Sequence, residues 1–254
     1  MTNGSIPGEP RPPASAASRP APEPAAEVRP AAPFDRELAG RIDHTLLKPD
    51  ATGPQFEALC AEARRYGFAT VCVPPNRIPL AARLLAGSGV GVCAVIGFPL
   101  GHHAPEALEL EARLACRDGA TELDMVIPVG ALKEGDDAAV RRAIRAVTGA
   151  LPAASPPPLV KVILECALLT DAEKRRGCRL AVEAGAAFVK TSTGFGPGGA
   201  TEEDVRLLRA EVGPGFGVKA AGGIRDREAA LRMIAAGADR IGASASVRIV
   251  QLDS

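Results

Sequence analysis

The stretch Gly-Ala-Ala-Phe-Val-Lys-Thr-Ser (185–192) decides how this chain folds. Its glycine follows a helix-period segment, and a short apolar run begins two residues after the Gly-Ala pair. Because glycine readily takes the left-handed conformation that ends a helix, the pattern predicts a helix that turns directly into a strand. The same Gly-Ala pair occurs at 119–120 and 237–238, again just before a run that reads as a strand. The sequence therefore repeats a helix-to-strand unit.

Eight apolar or mixed runs predict strands, and they lie at 42–47, 70–73, 92–98, 122–127, 159–165, 188–192, 217–221 and 240–244. Helix-period stretches separate them, for example 105–116 and 227–236, and capping-box spacing marks two helix starts, Thr170 with Glu173 and Thr201 with Asp204. Strict alternation predicts a parallel sheet, and eight units in one domain predict closure into an α/β (β/α)₈ TIM barrel. An open doubly wound sheet is the alternative, but no strand leads into a Gly-x-Gly-x-x-Gly motif.

Residues 1–33 differ in composition from the rest of the chain. They are rich in Pro, Ala, Ser, Gly, Arg and Glu, as in Gly-Glu-Pro-Arg-Pro-Pro-Ala-Ser (8–15). Such a segment buries too little apolar surface to offset the entropy of ordering it, so we expect a disordered tail. It lacks the apolar core of a secretory signal, and the body contains no run long and apolar enough to span a bilayer. We therefore expect one barrel domain over residues 34–254.

Composition excludes several classes of function. The 254 residues carry 30 Lys+Arg against 30 Asp+Glu, which gives no basic bias towards nucleic acid or an anionic membrane. With no Trp and one Tyr, stacking surfaces for bases are also scarce. The six cysteines form no Cys-x-x-Cys pair and sit mostly in apolar runs, which favours reduced thiols in a cytoplasmic protein.

Four charged residues lie inside the predicted strands: Asp124, Lys161, Lys190 and Lys219. Their flanking residues are mostly apolar and should face the helices, so alternation turns each charge into the barrel lumen. Because neighbouring strands are about 4.8 Å apart, we expect one cluster. A buried cation without a visible partner is costly, and a second cation nearby favours the neutral amine that attacks a carbonyl carbon to form a Schiff base. Lysines that snorkel to solvent, or a purely structural ion-pair network, remain alternatives.

Glycines at the ends of the last three strands predict a second subsite. The segments are Thr193-Gly194, Gly222-Gly223 and Gly242-Ala243-Ser244. Free backbone amides at such strand ends bind anions, and barrels often bind phosphate at this corner. We therefore predict a phosphate site there.

Histidines offer a competing metal site. His102-His103 follows a strand, and His44 lies within the first predicted strand. Adjacent histidines on a loop splay apart and no third ligand is evident, so a metal-dependent aldolase is the weaker hypothesis. For His44 we expect a hydrogen-bonded structural role.

Seven motifs, in order, resemble the deoxyribose-phosphate aldolases, a family of class I aldolases with a (β/α)₈ barrel. They are Ile-Asp-His-Thr-Leu-Leu-Lys-Pro (42–49), Val-Cys-Val-Pro-Pro (71–75), Val-Ile-Gly-Phe-Pro-Leu-Gly (95–101), Glu-Leu-Asp-Met-Val (122–126), Leu-Val-Lys-Val-Ile-Leu-Glu (159–165), Phe-Val-Lys-Thr-Ser-Thr-Gly-Phe (188–195) and Val-Lys-Ala-Ala-Gly-Gly-Ile-Arg (218–225). The resemblance covers about residues 36–250. It implies a lyase that reversibly cleaves 2-deoxy-D-ribose 5-phosphate into acetaldehyde and glyceraldehyde 3-phosphate, with no cofactor and no metal.

The resemblance also implies roles for individual residues. Lys190 would be the Schiff-base nucleophile, Lys219 the neighbouring cation that favours its neutral form and relays protons, and Asp124 the general acid/base acting with water. The supporting residues would be Thr45 and Cys72 at the sugar, Asp43 and Lys161 in the proton network, and Thr193, Gly194, Gly222, Gly223, Gly242 and Ser244 at the phosphate. Some family members carry two serines at the last strand end, whereas Ala245 stands second here, so backbone amides would hold more of the phosphate.

Three rival functions stay open on the sequence. A sugar-phosphate isomerase or a different Schiff-base aldolase would use a similar phosphate-binding barrel, and a non-enzymatic scaffold would use the Pro-rich tail. The partners implied by the main hypothesis are small phosphorylated sugars and aldehydes, with homo-oligomerisation left open.

Overall fold

The computed structural model describes residues 33–154 and 156–252. Eight parallel strands close into a barrel in chain order, each paired with the next and β8 paired with β1. The strands are β1 (Ile42–Thr45), β2 (Thr70–Val73), β3 (Gly91–Ile96), β4 (Glu122–Val126), β5 (Leu159–Ile163), β6 (Phe188–Lys190), β7 (Gly217–Ala221) and β8 (Arg240–Ala243). The predicted (β/α)₈ barrel is confirmed. Of the predicted tail at 1–33, residues 1–32 lie outside the described residues.

Helices cover the outside of the barrel. They are α1 (Arg36–Ala39), α2 (Gly53–Tyr66), α3 (Ile78–Leu85), α4 (Pro105–Arg117), α5 (Val129–Glu134), α6 (Asp137–Thr148), α7 (Asp171–Glu183), α8 (Glu202–Val212), α9 (Arg227–Ala235) and α10 (Ser246–Val250). The alternation is therefore not strict, because α1 precedes the first strand and two helices follow β4. Among the described residues, no helix has both the length and the apolar character needed to cross a membrane.

Alternating strand residues separate the apolar shell from the lumen. Val160, Val162, Val189 and Val218 point outward and are almost completely buried against the helices. The charged residues between them point inward. Register places Lys190 directly beside Lys219, and Asp124 beside Lys161. The strand parity expected from sequence thus carries the charges into the lumen.

Local signals act as the sequence indicates. Gly185 takes φ 79° after α7, where a side chain would be strained, and the chain enters β6 three residues later. At the other end of α7, the Thr170 amide donates to Glu173 at 2.7 Å and the Glu173 amide donates to Thr170 Oγ1 at 3.3 Å. This reciprocal capping box fixes where the helix begins.

Phe34 and Asp35 bind the start of the described chain to the barrel. The Phe34 ring meets Tyr66 edge-on at 5.1 Å between centroids, and residue 34 pairs with Gln251. Asp35 caps α1 and accepts a bond from Arg227 at 2.7 Å. Residues 34 and 35 are thus packed against the barrel.

Candidate active site

Asp124 stands at the centre of a lumen cluster built from β4, β5, β6 and β7. Lys190 Nζ lies 2.8 Å and Lys219 Nζ 2.6 Å from its Oδ2, while Lys161 Nζ lies 2.9 Å from its Oδ1. All four side chains are buried, and Lys190 is 3% exposed as a residue. The four strand charges thus converge on one carboxylate. The sequence suggested buried lysines without visible partners. In the structure each of the three has a carboxylate partner.

A second set of charges surrounds this cluster. Asp43 forms an ion pair with Lys219 and a second one with Arg240 Nη1, at 2.6 Å. Thr70 Oγ1 also donates a hydrogen bond to Asp43 at 2.8 Å. Glu122 bridges Lys161, at 2.5 Å, and Arg240, at 3.2 Å. Sequence analysis missed Glu122 and Arg240. Strand parity was a signal that could have found them, because Glu122 lies two residues before Asp124 and so shares its face.

The connected network holds three carboxylates and four cations. The carboxylates belong to Asp43, Glu122 and Asp124, and the cations to Lys161, Lys190, Lys219 and Arg240. If one lysine loses its proton, the buried network becomes balanced in charge. Lys190 is the member suited to do so, because its only ion pair among the described residues is the one with Asp124. The network therefore tolerates a neutral Lys190.

The neighbours of Lys190 are firmly held in their charged forms. Burial disfavours the Asp124 carboxylate, but the cations of Lys161, Lys190 and Lys219 outweigh this and hold its pKa well below the usual range. Burial likewise disfavours the Lys219 ammonium, yet the carboxylates of Asp124 and Asp43 raise its pKa. Lys219 is thus a persistent cation on the oxygen that Lys190 also contacts.

Two thiols line the wall of the lumen next to Asp124. Cys72 and Cys93 are register partners on β2 and β3, and both are fully buried. Cys93 Sγ donates to Asp124 Oδ1 at 3.2 Å and receives Lys161 Nζ at 3.5 Å. Cys93 lies two residues before Val95 and so faces the same side of β3. Sequence analysis did not single it out, although it predicted the strand.

The mouth of the barrel is apolar on the side of β1 and β3. Leu47 and Phe98 pack over Cys72, Cys93 and Val95. Phe98 meets Phe195, which is half exposed, edge-on at 5.3 Å. Thr45 ends β1 at this side, partly exposed, with its hydroxyl donating to the Asp43 carbonyl at 2.8 Å.

The glycine-rich corner divides into open and closed positions. Gly194, Gly223 and Ser244 are exposed, and both glycines have left-handed φ values, 84° and 80°. No atom lies within 4 Å of a Cβ built on either glycine. Gly222 is less accessible, because its carbonyl accepts the Ala200 amide at 3.0 Å and its backbone lies against Gly199. The open part of the predicted phosphate site is therefore Gly194, Gly223 and Ser244.

Gly242, which was predicted to contact the phosphate, packs against Lys219. A Cβ at this position would lie 3.1 Å from Lys219 Cε and 3.0 Å from Ala221 Cβ. Both distances are tighter than ordinary contact, so the missing side chain makes room for the stem of Lys219. In the structure Gly242 is a packing position beneath the cluster.

Glu165 holds the loop that follows β6. It is buried at the carboxyl end of β5 and is the only non-glycine residue of the described chain with positive φ, at 58°. Thr193 donates to its carboxylate through both the backbone amide, at 3.3 Å, and the hydroxyl. Thr193 is thus engaged by Glu165 within the protein. Sequence analysis predicted neither this contact nor the left-handed turn, which shortens the strand expected at 159–165.

Of the three histidines, one is buried and hydrogen-bonded and two are exposed. His44 faces the helices, where Nδ1 bonds Ser246 Oγ at 2.9 Å and Nε2 bonds Glu62 at 2.8 Å. His102 and His103 are exposed. Within the described residues, the sets of side chains close enough to share an ion are Cys72, Cys93 and Asp124, and Asp43, Cys93 and Glu122. Lysine ammonium groups already contact both sets, so the geometry favours ion pairing.

A closed parallel barrel with a cluster of lysines around one buried carboxylate defines an enzyme of the aldolase class. Residues 38–247 match the sequence pattern of the DeoC/LacD family aldolases. The chain is 59% identical over 216 residues to deoxyribose-phosphate aldolase 1 of Bacillus licheniformis, covering 85% of this chain and 96% of the relative. It is 57% identical over 218 residues to the deoxyribose-phosphate aldolase of a Geobacillus species, covering 86% and 96%.

A solved structure agrees with the sequence comparisons. The tetrameric deoxyribose phosphate aldolase of Aeropyrum pernix superposes with a TM-score of 0.78 at 39% identity, covering 85% of this chain and 90% of that one. The chain therefore belongs to the DeoC/LacD aldolase family. It is a lyase, and this membership supports the main hypothesis over an isomerase or a scaffold.

Proposed function

We propose that this chain reversibly cleaves 2-deoxy-D-ribose 5-phosphate into acetaldehyde and glyceraldehyde 3-phosphate through a Schiff base on Lys190. The observation that carries the proposal is the shared oxygen: Lys190 and Lys219 both contact Asp124 Oδ2, at 2.8 and 2.6 Å. One nucleophile, one permanent cation and one proton acceptor thus meet at a single atom. The substrate is inferred from the names of the relatives, which are deoxyribose-phosphate aldolases.

Formation of the nucleophile is the first step. Lys190 gives up one proton to solvent, and the buried charges then balance as three carboxylates against three cations. The neutral amine attacks C1 of the open-chain sugar, and the carbinolamine takes up a proton and loses water to give an iminium. The iminium nitrogen is cationic and stays beside the Asp124 carboxylate. That contact stabilises the charge that the reaction creates.

Carbon–carbon cleavage follows from the iminium. The C3 hydroxyl loses its proton, the C2–C3 electrons move into the iminium, and glyceraldehyde 3-phosphate leaves. We assign the removal of that proton to Asp124 acting through a water, and its exchange to Lys219, which contacts the same oxygen. Protonation of the enamine at C2 and hydrolysis then release acetaldehyde and free Lys190. Asp43 and Lys161 would keep this network in position.

Phosphate recognition is assigned to the open corner. The exposed left-handed glycines Gly194 and Gly223, with Ser244, offer backbone amides and a hydroxyl without a bulky side chain in the way. Gly223→Ala adds a methyl group and strains the φ of 80°. It should raise KM for the phosphorylated sugar much more than for 2-deoxyribose. Equal losses on both substrates would make the corner structural only.

Trapping of the Schiff base tests the central claim. The full chain is incubated with acetaldehyde and borohydride, and the intact mass and the modified peptide are measured. A single N-ethyl group on Lys190 is expected, and Lys190→Ala should abolish both the adduct and turnover. Lys133→Ala is the matched control, because Lys133 is exposed and pairs with Glu173 on the outside of the barrel. An adduct on Lys219 instead would exchange the two roles.

Assembly and location are separate proposals. Homo-oligomerisation is suggested by the tetrameric relative and by the exposed Leu110 and Leu114 on α4. Analytical ultracentrifugation of the full chain tests it, with a monomer as the contrary result. A cytoplasmic location is suggested by the six free thiols, and cell fractionation tests it.

A further inference from the structure

Cys72 and Cys93 are two thiols placed side by side on the lumen wall. They are register partners on adjacent parallel strands, and their Sγ atoms lie within 4.8 Å of one another. Both point to the lumen, since Cys93 Sγ donates to Asp124 Oδ1 at 3.2 Å. Neither thiol has an assigned place in the proton transfers of the proposed reaction, so the pair invites a separate explanation.

We propose that Cys72 and Cys93 form an oxidisable dithiol, which a hydroperoxide converts into a disulfide that inactivates the enzyme. Neighbouring strands bring register partners to about 4.8 Å between Cα atoms, within the roughly 4.4–6.8 Å that a disulfide requires. The backbone of the closed barrel therefore already holds the two residues at bonding range.

The chemistry balances with the hydroperoxide as the sole oxidant. The Cys72 thiolate attacks the terminal oxygen of the hydroperoxide, the O–O bond breaks, and the alcohol leaves with one proton. Cys72 is then a sulfenic acid. The Cys93 sulfur attacks the Cys72 sulfur, the S–O bond breaks, and water leaves with the remaining proton. Two thiols have lost two electrons, and the hydroperoxide has gained them.

The surroundings select Cys72 as the attacking thiol. Contact with the Cys93 thiol lowers the pKa of Cys72, and the nearby cations of Lys219 and Lys190 lower it further, although burial opposes them. Elsewhere burial raises the pKa of Cys60 to about 11 and that of Cys178 to about 12, so those thiols stay protonated. Both thiols are fully buried, so the hydroperoxide has to enter the lumen that the proposed aldehyde substrate must also enter to reach Lys190.

The disulfide would act directly on Asp124. Cys93 would lose the S–H that donates to Asp124 Oδ1, and β2 would be joined covalently to β3 at the wall of the lumen. Activity should therefore fall on oxidation and return when a dithiol reductant reopens the bond. This consequence rests on the proposed function, whereas formation of the bond does not.

Peptide mapping of the full chain tests both parts. The protein is treated with hydrogen peroxide, its remaining thiols are alkylated under denaturing conditions, and crosslinked peptides are identified. We expect a Cys72–Cys93 crosslink, a loss of two hydrogens in intact mass, and at least a tenfold loss of activity that dithiothreitol restores. Cys116→Ala is the matched control, because Cys116 lies on the outside of the barrel, and it should behave as the wild type.

Other results would overturn the proposal. Oxygen addition to Cys72 with Cys93 still open to alkylation would exclude the dithiol, and so would a crosslink between other cysteines. A Cys72–Cys93 bond with undiminished activity would exclude the inhibitory role. Cys93→Ser should form no crosslink at all; if that variant fails to fold, judged by circular dichroism, the wild-type map alone decides. The mapping does not use aldolase activity, so its failure is distinct from failure of the proposed function.

Discussion

Replacing Lys219 with leucine removes the cation that shares Asp124 Oδ2 with Lys190. The two nitrogens lie 2.6 and 2.8 Å from that oxygen, which places them roughly 4.5 Å apart at ordinary hydrogen-bond angles. At an effective dielectric constant of about 20, two like charges at that separation repel by about 4 kcal/mol. In Lys219→Leu this repulsion is gone, and a protonated Lys190 becomes the favoured partner of Asp124.

The loss has a defined signature in the pH dependence of the reaction. Since about 1.4 kcal/mol corresponds to one pH unit, the ionisation that limits kcat/KM should move upward by roughly two to three units. Activity at neutral pH should fall at least a hundredfold and recover in part at alkaline pH.

The assay is kcat/KM for 2-deoxyribose 5-phosphate from neutral to alkaline pH, with folding checked by circular dichroism. Lys219→Arg is the matched control, because it keeps the positive charge and should keep more of the wild-type profile. Borohydride trapping of Lys219→Leu should still succeed at alkaline pH. A profile of unchanged shape, lowered equally at every pH, would refute the electrostatic reasoning and leave Lys219 as a proton carrier only.

Three further predictions follow from other parts of the molecule. Removal of residues 1–32 should leave kcat/KM unchanged in steady-state assays; Phe34 is retained because it contacts Tyr66. A large loss of kcat/KM would give the tail a catalytic role. Exhaustive chelation with EDTA should leave activity intact, because an amine activates the carbonyl; loss with recovery on zinc would bring His102 and His103 into the mechanism. Asp43 is buried, and the cations of Lys219, Lys161 and Arg240 lower its pKa; its stabilising contribution is therefore full above the unfolded value of about 4 and is lost as pH falls below it. Asp43→Asn should lower the free energy of unfolding near neutrality by about 3–5 kcal/mol, because those cations lose a carboxylate partner. In denaturant unfolding at a series of pH values, stability should also fall less steeply towards acid pH than in the wild type. An equal acid dependence would contradict this.

Strand parity predicted much of the site. The positions of Asp124, Lys161, Lys190 and Lys219 in their strands are enough to place all four in the lumen, since apolar neighbours take the helix-facing side. The same rule applied to Glu122 would have added it to the cluster. What parity cannot provide is connectivity, such as which carboxylate each lysine contacts, because that depends on rotamers chosen by the whole network.

Tertiary contacts set the features that sequence reasoning missed. The left-handed Glu165 ends β5 early because its carboxylate holds Thr193 from the next strand's loop. Gly242 was predicted to help hold the phosphate, and sequence reasoning did not show that its lack of a side chain also makes room for Lys219 Cε. Both depend on residues far away in the chain, so no local pattern could reveal them.

Contacts to Asp124 come from four different strands, since Cys93 of β3 and the lysines of β5, β6 and β7 all reach it. Separation of any of these strands from β4 would deprive the carboxylate of a partner and leave a charge buried without compensation. The contacts that the proposed reaction needs are therefore present only while the barrel is closed. On heating, catalytic turnover and the fold should therefore disappear together.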